Sequence, residues 1–350
     1  MKILFLTSGQ RVPSSRFRVL QYIPYLQQLS HECVVLPSRP EKYRSIRGLG
    51  SRLSQHVRRF RRLRNIRMIA QSSFDVVFLE RELFSDGSYD VEQTLRAAAK
   101  TLILDIDDGL FVLHPRKFDV LAGISDAVIV GNKLLYEKTI SLNANVTTIP
   151  TCLDLERYQV KPPRHGDDKR ERTTILGWTG TAANIEFLKQ VEQPLNDLAK
   201  RFPIELRIIA ESSRPLRQLH LPDVSIRFTT WNEETEIEDL RSFDIGLMPM
   251  PDNEWTRYKC GLKILQYMAL GIPAVASPVG TNADIIQHER NGFLAETDRE
   301  WVEILSRLIE QRELRVAIAT AGRSTVEERF SVRKHVSSLV KVFEGAIRRT

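Results

Sequence analysis

Residues 255–294 read WTRYKCGLKILQYMALGIPAVASPVGTNADIIQHERNGFL, and they contain the clearest local pattern in the chain. A basic loop with a glycine (257–261) leads into a predicted helix (262–270). A short apolar strand (274–276) follows and leads into a tight turn (277–280). Proteins commonly hold a phosphate with the amides at a helix N-terminus and a lysine in its first turn. The stretch therefore predicts an α/β unit with a phosphate-binding site where its strands end.

The same alternation of short apolar runs with helical or irregular segments continues towards the N-terminus. Strands are predicted at residues 2–7, 32–36, 75–79, 101–105, 127–130 and 146–149, and again at 174–178, 206–209, 225–228, 245–248 and 274–276. Strands that alternate with helices are typical of parallel sheets covered by helices on both faces. The predicted fold class is therefore α/β.

The composition changes at residues 161–173, KPPRHGDDKRERT, which are polar, highly charged and contain two prolines. This segment is predicted to be a linker. The parts on either side, 1–160 and 174–331, each predict a Rossmann-like doubly wound domain, and residues 332–350 predict a C-terminal helix. We expect the two domains to face each other across a cleft, because ligands of such sheets bind beyond the carboxyl ends of the strands.

Composition and cysteine content exclude several classes of protein. With 42% hydrophobic and 27% charged residues, the chain resembles a soluble globular protein rather than a disordered or collagen-like one. Cys33, Cys152 and Cys260 lie far apart and form no Cys-x-x-Cys pair, which argues against a disulfide framework and a zinc ribbon. Neither a signal peptide nor an apolar stretch long enough to span a membrane is evident. We expect a cytoplasmic protein.

Positive charge is concentrated in one segment. The chain has a net charge of +7, and residues 39–67 contain eleven basic residues and one acidic residue. Apolar residues recur there at intervals of three and four, which predicts a helix. Two interpretations remain open: the helix packs on its own domain through Leu53, Val57 and Phe60, or it docks on an anionic membrane surface. No nucleic-acid-binding motif accompanies the basic residues, so no nucleic-acid partner is predicted.

Four short motifs occur in the order expected of one known family. They are the donor-site signature KCGLK followed by QYMA (259–269), the strand entry NGFL (291–294), the strand FDIG (243–246) and the domain junction VTTIPTCLDLERY (146–158). Together they resemble the family 4 glycosyltransferases, which have the GT-B fold of two facing Rossmann-like domains. The Lys-Cys-Gly-x-Lys and Gln-Tyr-Met-Ala motifs are similar to those of one subgroup of this family.

The resemblance implies transfer of a sugar from a nucleotide-sugar donor to an acceptor hydroxyl with retention of configuration, and no metal or other cofactor. The first domain would bind a glycan or lipid-linked acceptor, the second the donor, and helix 332–350 would cross back to the first domain. An enzyme acting on such an acceptor is expected in the cytoplasm, and docking on the cytoplasmic face of the membrane is the open alternative to a free location. The residues implied at the donor site are Gly180, Thr181, Arg257, Lys259, Lys263, Gln266, Ser277, Val279, Gly280 and Thr281.

The sequence departs from the family pattern at two important positions. The family usually has two glutamates eight residues apart, and Tyr258 and Gln266 occupy those positions here. An amide can still accept a hydrogen bond from a ribose hydroxyl, but Tyr258 cannot replace a carboxylate near the sugar. The alternative function is therefore a catalytically weakened GT-B protein that binds a nucleotide-sugar without transferring it.

Charged residues also follow the predicted strands of the first domain. Asp107 and Asp108 follow strand 101–105 and match the position of a His-Asp pair in the family. We predict that they are catalytic: they orient acceptor or sugar hydroxyls, with Asp107 as a candidate base. The alternative is that one caps the next segment and the other is solvated. The Asp-x-Asp pattern here is not predicted to hold a metal, because the architecture is wrong for that role.

Two further groups are expected at the same edge of the sheet. Ser15, Arg16 and Arg18 lie in the loop after the first strand and are predicted to contact the acceptor or a phosphate. The alternative is that these arginines are solvated residues of a first helical turn. Residues 80–82, Glu-Arg-Glu, follow another strand and are also expected to line the cleft.

Overall fold

The computed structural model describes residues 1–42, 46, 48, 50–160 and 173–350. Residues 161–172 of the predicted linker lie outside these ranges, as do Arg44, Arg47 and Leu49 of the basic segment. The chain divides into two compact units. Unit 1 comprises Met1–Cys152, Arg257–Cys260 and Val332–Thr350, and unit 2 comprises Leu153–Thr256 and Gly261–Ser331.

Residues 1–152 form a parallel sheet of six strands in the order β2-β1-β3-β4-β5-β6. The strands are β1 Lys2–Thr7, β2 Glu32–Pro37, β3 Val76–Glu80, β4 Leu102–Ile106, β5 Ala127–Val130 and β6 Val146–Thr148. The helices are α1 Pro13–Arg18, α2 Ile23–Gln28, α3 Gly50–Ala70, α4 Asp90–Ala98, α5 Leu110–Leu113, α6 Pro115–Ile124 and α7 Lys133–Thr139. The central strands β3 and β4 are buried and largely apolar, with Glu80 and Asp105 near their carboxyl ends, because helices cover both faces of the sheet.

Unit 2 contains a second parallel sheet, in the order β12-β11-β10-β7-β8-β9. Its strands are β7 Thr174–Thr179, β8 Ile204–Ala210, β9 Ser225–Thr230, β10 Ile245–Met248, β11 Ala274–Ala276 and β12 Phe293–Leu294. The helices between residues 153 and 331 are α8 Glu192–Ala199, α9 Glu236–Leu240, α10 Glu254–Arg257, α11 Leu262–Ala269, α12 Thr281–Ile285, α13 Asp298–Glu310 and α14 Arg312–Arg329. Trp178 and Trp301 are the largest side chains buried in its core.

The last helix, α15 Val332–Ile347, belongs to unit 1. Its Phe343 is fully buried, and its ring centroid lies 6.4 Å from that of Phe5 and 6.0 Å from that of Phe78. Phe5 and Phe78 point to the same face of the first sheet, since both are in the cluster that includes α15. The helix therefore completes the core on that face.

The two sheets and their flanking helices confirm the predicted class of two Rossmann-like doubly wound domains. The division between the units differs from the predicted ranges in two respects. It falls after Cys152 instead of at residue 160, and Arg257–Cys260 belongs to unit 1 although both neighbouring segments belong to unit 2.

Helix α3 contains most of the basic segment, but its buried face is not the predicted one. Its buried residues are Ser54, Arg58, Arg62, Ile66 and Ile69. Leu53 and Phe60 are 58% and 69% exposed, so the expected packing through them is wrong. The physical reason is that Arg62 donates to the carbonyl oxygens of Leu36 and Thr7 at the ends of β2 and β1, and therefore faces inward.

Among the described residues, no helix is both long enough and apolar enough to cross a membrane.

Candidate functional site

The carboxyl end of β4 brings Asp107 and Asp108 together with a basic side chain from the neighbouring strand. Arg81 follows β3 and forms an ion pair with Asp107. Its Nη2 also lies 3.7 Å from Oδ2 of Asp108, and Nζ of Lys259 lies 3.8 Å from the same oxygen. All four side chains belong to unit 1 and are largely buried. The alternative in which one of the two aspartates is solvated is therefore wrong.

The backbone of Arg81 is unusual for a residue with a side chain. Its φ is +58°, in the left-handed region that few residues other than glycine adopt. Its amide donates to the carbonyl oxygen of Asp105 at 2.9 Å, which holds this conformation. Such conformations are often found where a side chain must be aimed at a site. Here the side chain is aimed at Asp107 and Asp108.

Electrostatics keep Asp107 ionised. Burial acts to raise the pKa of Asp107, but the Arg81 guanidinium, with a further contribution from Arg18, outweighs burial and lowers the pKa below its usual value. A carboxylate with a low pKa is a weak base and a good hydrogen-bond acceptor. The geometry therefore favours Asp107 as a group that orients a hydroxyl over Asp107 as a proton acceptor.

The segment predicted as a loop after β1 forms helix α1, which is held by internal contacts. Arg18 forms a buried ion pair with Asp105, at 2.5 Å from Nη2 to Oδ1, and its Nη1 donates to the carbonyl oxygen of Ile149 at 2.8 Å. Ser15 Oγ donates to Glu80 Oε2 at 2.5 Å. Because these groups are already bonded within unit 1, the predicted contact of Ser15 and Arg18 with a phosphate or acceptor is not supported.

Arg16 is buried as well, with its guanidinium carbon 5.0 Å from the centroid of the Phe17 ring. All three residues are in the short helix α1, as the alternative held, but they are buried and not solvated. Burial also raises the pKa of Asp105 to about 6, against the attraction of Arg18. Helix α1 thus supports the edge where Asp107 and Asp108 lie.

Arg257–Cys260 packs into unit 1 through Asn132, the residue that caps α7. Asn132 Oδ1 accepts from the amide of Leu135 at 2.9 Å, and its Nδ2 donates to the carbonyl oxygen of Tyr258 at 2.9 Å. The Tyr258 ring meets the Phe111 ring edge to face, with centroids 4.6 Å apart. Tyr258 is thus part of an apolar cluster.

Cys260 is the second anchor of this segment. Its Sγ donates to the carbonyl oxygen of Asp107 at 3.3 Å, and Gly131 leaves the space that Sγ occupies, because a Cβ at residue 131 would collide with it. Burial and the nearby Asp107 carboxylate raise the pKa of the Cys260 thiol to about 12, so it is neutral at physiological pH. The contact links the donor-site motif of the sequence directly to the backbone of Asp107.

In unit 2, Lys263 lies in the first turn of α11, above the indole of Trp178. Its Nζ is 5.3 Å from the indole centroid. A Cβ at Gly180 would lie 2.9 Å from Cε of Lys263 and 2.8 Å from the Trp178 ring, so only glycine leaves this space open. Gly261 caps the helix with a φ of +67°. The predicted residues Gly180 and Lys263 are therefore in contact.

The turn after β11 lies close to the start of α11. Gly280 has φ +53° and ψ −131°, a conformation that requires glycine, and α12 begins at Thr281. Asn282 Oδ1 lies 3.7 Å from the position that a Cβ on Gly261 would take. Ser277 accepts from the amide of Met250 at 3.0 Å, so its hydroxyl oxygen has an internal partner.

Several buried polar atoms at this edge have no hydrogen-bond partner in the described part of the chain. They are Trp178 Nε1, Thr281 Oγ1 and Asn282 Oδ1. Buried polar groups are nearly always hydrogen-bonded in folded proteins. These atoms therefore suit an edge that binds a polar ligand.

Gln266 is buried in a hydrogen-bonded cluster that sequence reasoning missed. Its Nε2 donates to the Tyr158 hydroxyl at 2.9 Å and lies 3.5 Å from Oε1 of Glu236. The indole of Trp231 donates to the same Glu236 oxygen at 3.0 Å. Glu236 thus places a carboxylate beside Gln266, at the position where the sequence alone offered only an amide.

For the remaining predicted donor-site residues the structure gives the position in the fold. Val279 is buried in the turn before α12, and Arg257 ends α10 on the unit 1 side of the division. Thr181 is the residue before a 3-10 helix over Ala182–Val191.

Sequence reasoning missed Gly131 and Asn132, for which the only signal was a Gly-Asn pair after a strand. Within the described residues, no cluster of three or more His, Cys, Asp or Glu side chains is arranged to hold a metal ion.

Part of the chain is similar in sequence to a known protein family and to one known protein. Residues 173–311 match the family described as "Glycosyl transferases group 1". A Dictyostelium discoideum protein named GDP-Man:Man(3)GlcNAc(2)-PP-Dol alpha-1,2-mannosyltransferase is 29% identical over 128 residues, which are 33% of this chain and 25% of that protein. The chain thus matches only a quarter of the length of this relative.

Solved structures resemble the chain over nearly its whole length. The sucrose-phosphate synthase of Thermosynechococcus elongatus has a TM-score of 0.71 at 13% identity, with 100% of both chains covered. Anabaena HepE, in complex with UDP and glucose, has a TM-score of 0.68 at 15% identity, with 99% of this chain and 100% of that chain covered. The fold is therefore GT-B, as predicted, and residues 173–311 within it are similar to the glycosyltransferase group 1 family.

Proposed function

We propose that the protein is a hexosyltransferase that transfers a sugar from a nucleotide-sugar donor to an acceptor hydroxyl with retention of configuration. The observation that carries the proposal is the edge of unit 2 where Lys263, the start of α11 and the turn before α12 lie together. This edge is inside the segment that matches the glycosyltransferase family. It presents a lysine, a helix N-terminus and buried polar atoms without partners.

These groups suit the charge that develops during sugar transfer. When the sugar leaves, negative charge grows on the nucleoside diphosphate, and amides and a lysine fixed beforehand stabilise that charge. In this proposal Lys263 and the backbone of residues 277–281 contact the diphosphate. Lys259 and Arg257, which belong to unit 1, are also proposed as donor-binding residues. The reaction then needs no metal or other cofactor.

The ribose of the nucleotide is proposed to lie beside Gln266 and Glu236. A carboxylate binds a pair of neighbouring hydroxyls better than an amide does, because hydrogen bonds to a charged group are stronger. Glu236 approaches Gln266 from α9, a different element from the one that carries the glutamate in the family pattern. The absence of a glutamate at residue 266 is therefore compensated by Glu236.

Asp107 and Asp108 are proposed to orient the acceptor or sugar hydroxyls. Arg81 lies beside both carboxylates in a largely buried setting, where hydrogen bonds to a carboxylate are strong. The acceptor is proposed to be a glycan or a lipid-linked glycan. Support comes from the Dictyostelium relative, whose name includes the acceptor Man(3)GlcNAc(2)-PP-Dol. The cytoplasmic location is proposed because Cys33, Cys152 and Cys260 are all free thiols.

One observation favours the alternative of donor binding without transfer. Tyr258 lies where the family usually has a glutamate, and it packs against Phe111 in an apolar cluster. No carboxylate is therefore available from residue 258. The two candidates differ in one measurable respect: only a transferase releases the nucleoside diphosphate from the bound sugar.

The first experiment is a thermal-shift screen of the purified protein against UDP, GDP, ADP and their sugar conjugates, followed by an assay for release of the diphosphate. A ligand at 100 times its dissociation constant adds about 2.7 kcal/mol to the stability of the unit that binds it. We expect a shift with one base and slow release from its sugar conjugate. No shift with any nucleotide would contradict donor binding, and a shift without release would favour the alternative.

Lys263→Ala tests the assignment of the site. We expect binding of the responding nucleotide to weaken by about 10- to 100-fold, because a charge-assisted hydrogen bond contributes about 1.5–3 kcal/mol. The matched control is Lys189→Ala, which removes an exposed lysine of the same unit and should leave binding unchanged. Equal affinities of the two variants would remove Lys263 from the site.

A further inference from the structure

One face of α3 is exposed, basic and apolar at the same time. The large basic and apolar side chains exposed on it, together with one histidine, are those of Arg52, Leu53, His56, Phe60, Arg61, Arg64, Arg67 and Met68. Leu53 and Phe60 are two turns apart, and Arg64 follows Phe60 by one turn, so the three share one line along the helix. Phe60 is 69% exposed and Met68 41%. We call this set of residues the α3 surface.

The orientation of α3 is fixed by hydrogen bonds on the opposite face. Besides the contacts of Arg62, the guanidinium of Arg58 donates to the carbonyl oxygens of Pro40 at 3.0 Å and Glu41 at 2.7 Å. Because these two arginines anchor the helix from within, Leu53 and Phe60 cannot turn inward without breaking buried bonds. The exposure of the α3 surface is thus a stable feature of unit 1.

The positive charge of this surface is largely unneutralised. Within the part of the chain that the structure describes, Arg52, Arg64 and Arg67 form no ion pair, while the neighbouring Arg59 pairs with Asp90. Residues 39–67 carry eleven basic residues against one acidic residue, whereas the remainder of the chain is slightly acidic. A partner of this surface must therefore be anionic.

The apolar residues decide which anionic partner fits best. A nucleic acid offers phosphates to the arginines but no apolar phase for Leu53, Phe60 and Met68. An anionic bilayer offers both, with phosphates at the headgroup level and acyl chains just beneath. We propose that α3 docks flat on an anionic phospholipid bilayer, with Leu53 and Phe60 at the acyl boundary and the exposed arginines among the headgroups. This proposal does not depend on the transfer reaction.

The test is sedimentation of the full chain with vesicles of phosphatidylcholine alone or mixed with phosphatidylglycerol. We expect binding only to the mixed vesicles, decreasing as salt increases. Arg52→Gln/Arg64→Gln/Arg67→Gln should lower the partition coefficient by about 100-fold, since each arginine contributes about fivefold. Leu53→Ser/Phe60→Ser should lower it by about tenfold or more.

Matched controls remove the same groups from unit 2. Lys189→Gln/Arg217→Gln/Arg227→Gln removes three exposed charges, and Val316→Ser removes an apolar side chain that is 56% exposed. Both should bind as the unchanged chain does, and thermal unfolding should show that all variants fold. Equal binding to both kinds of vesicle, absence of binding, or an equal loss in the controls would overturn the proposal. The proposal would also be overturned if the chain bound an oligonucleotide through the α3 surface and Leu53→Ser/Phe60→Ser left its binding to vesicles unchanged.

Discussion

At the scale of single residues, Glu236 provides the sharpest test of the proposed nucleotide site. We expect Glu236→Ala to weaken binding of the responding nucleotide by about tenfold, because a charged acceptor for the ribose hydroxyls is lost. A 2′,3′-dideoxy form of the same nucleotide lacks those hydroxyls and should be affected little. Calorimetric titration of each nucleotide against the unchanged protein and against Glu236→Ala measures the coupling energy between residue 236 and the ribose hydroxyls. An equal loss with the two nucleotides would contradict a ribose contact.

The cysteines should differ in reactivity. Burial raises the pKa of Cys152 to about 12, and burial with Asp107 does the same for Cys260, while Cys33 is only half buried and its pKa is raised less. The thiolate is the reactive form, so Cys33 should be alkylated first and the other two slowly. Mass spectrometry after a timed iodoacetamide pulse at mildly alkaline pH measures this order. Labelling of Cys260 as fast as Cys33 would show that the 257–260 segment opens freely.

Sequence reasoning placed some residues of the candidate site at the sheet edges and missed their partners. Asp107, Asp108 and Lys263 follow strands or begin a helix, so local patterns are enough to place them at the carboxyl edges. Arg81 was expected there too, but its pairing with Asp107 depends on strand order. Glu236 lies thirty residues from Gln266 in the chain, and only the packing of α9 brings the two together. Such long-range partners leave no local signal.

At the scale of elements, the contact between Gly131 and Cys260 should be essential to the packing of residues 257–260. Gly131→Ala places a methyl group where Cys260 Sγ lies, and we expect it to lower the free energy of unfolding by about 1–3 kcal/mol. Cys260→Ala removes the sulfur and should restore much of that loss in the double variant. Urea unfolding of the four proteins in this cycle measures the coupling. Additive effects would show that the two residues do not meet.

The elements also show where periodicity is a reliable guide. The strands at Lys2–Thr7, Ala127–Val130, Ile245–Met248 and Ala274–Ala276 have the predicted bounds. Short apolar runs of this length that end at turn residues favour buried strands over helices. Helix α3 was predicted as an element, but its inward face was not. Apolar spacing indicated Leu53 and Phe60. The inward face is instead selected by carbonyl groups that Arg62 reaches at the strand ends and that Arg58 reaches in the segment after β2.

At the scale of the whole molecule, Phe343 should stabilise unit 1 specifically. Its ring is buried against Phe5 and Phe78, so Phe343→Ala should cost about 3–5 kcal/mol of unfolding free energy. Calorimetry should show a lower transition temperature for unit 1, while a bound nucleotide still stabilises unit 2. The control is Lys341→Ala, an exposed position on the same helix, which should change neither transition.

The fold class was predictable because both halves repeat the alternation of strands and helices. The set of chain segments that make up unit 1 was not predictable, since nothing in the local sequence distinguishes Arg257–Cys260 from the neighbouring segments of unit 2. Contacts with Asn132, Phe111 and the backbone of Asp107 assign this segment to unit 1. These contacts exist only after folding.

The membership of α15 in unit 1 has a consequence for biosynthesis. The 179 residues between Cys152 and Val332 must be translated before the helix that covers Phe5 and Phe78 exists. At ribosomal rates of 5–20 residues per second, this leaves one face of the first sheet without its final cover for about 10 to 35 s. A nascent chain in that interval exposes an apolar sheet face, which is the kind of surface that chaperones bind. The first unit to be synthesised is thus the last to complete its core.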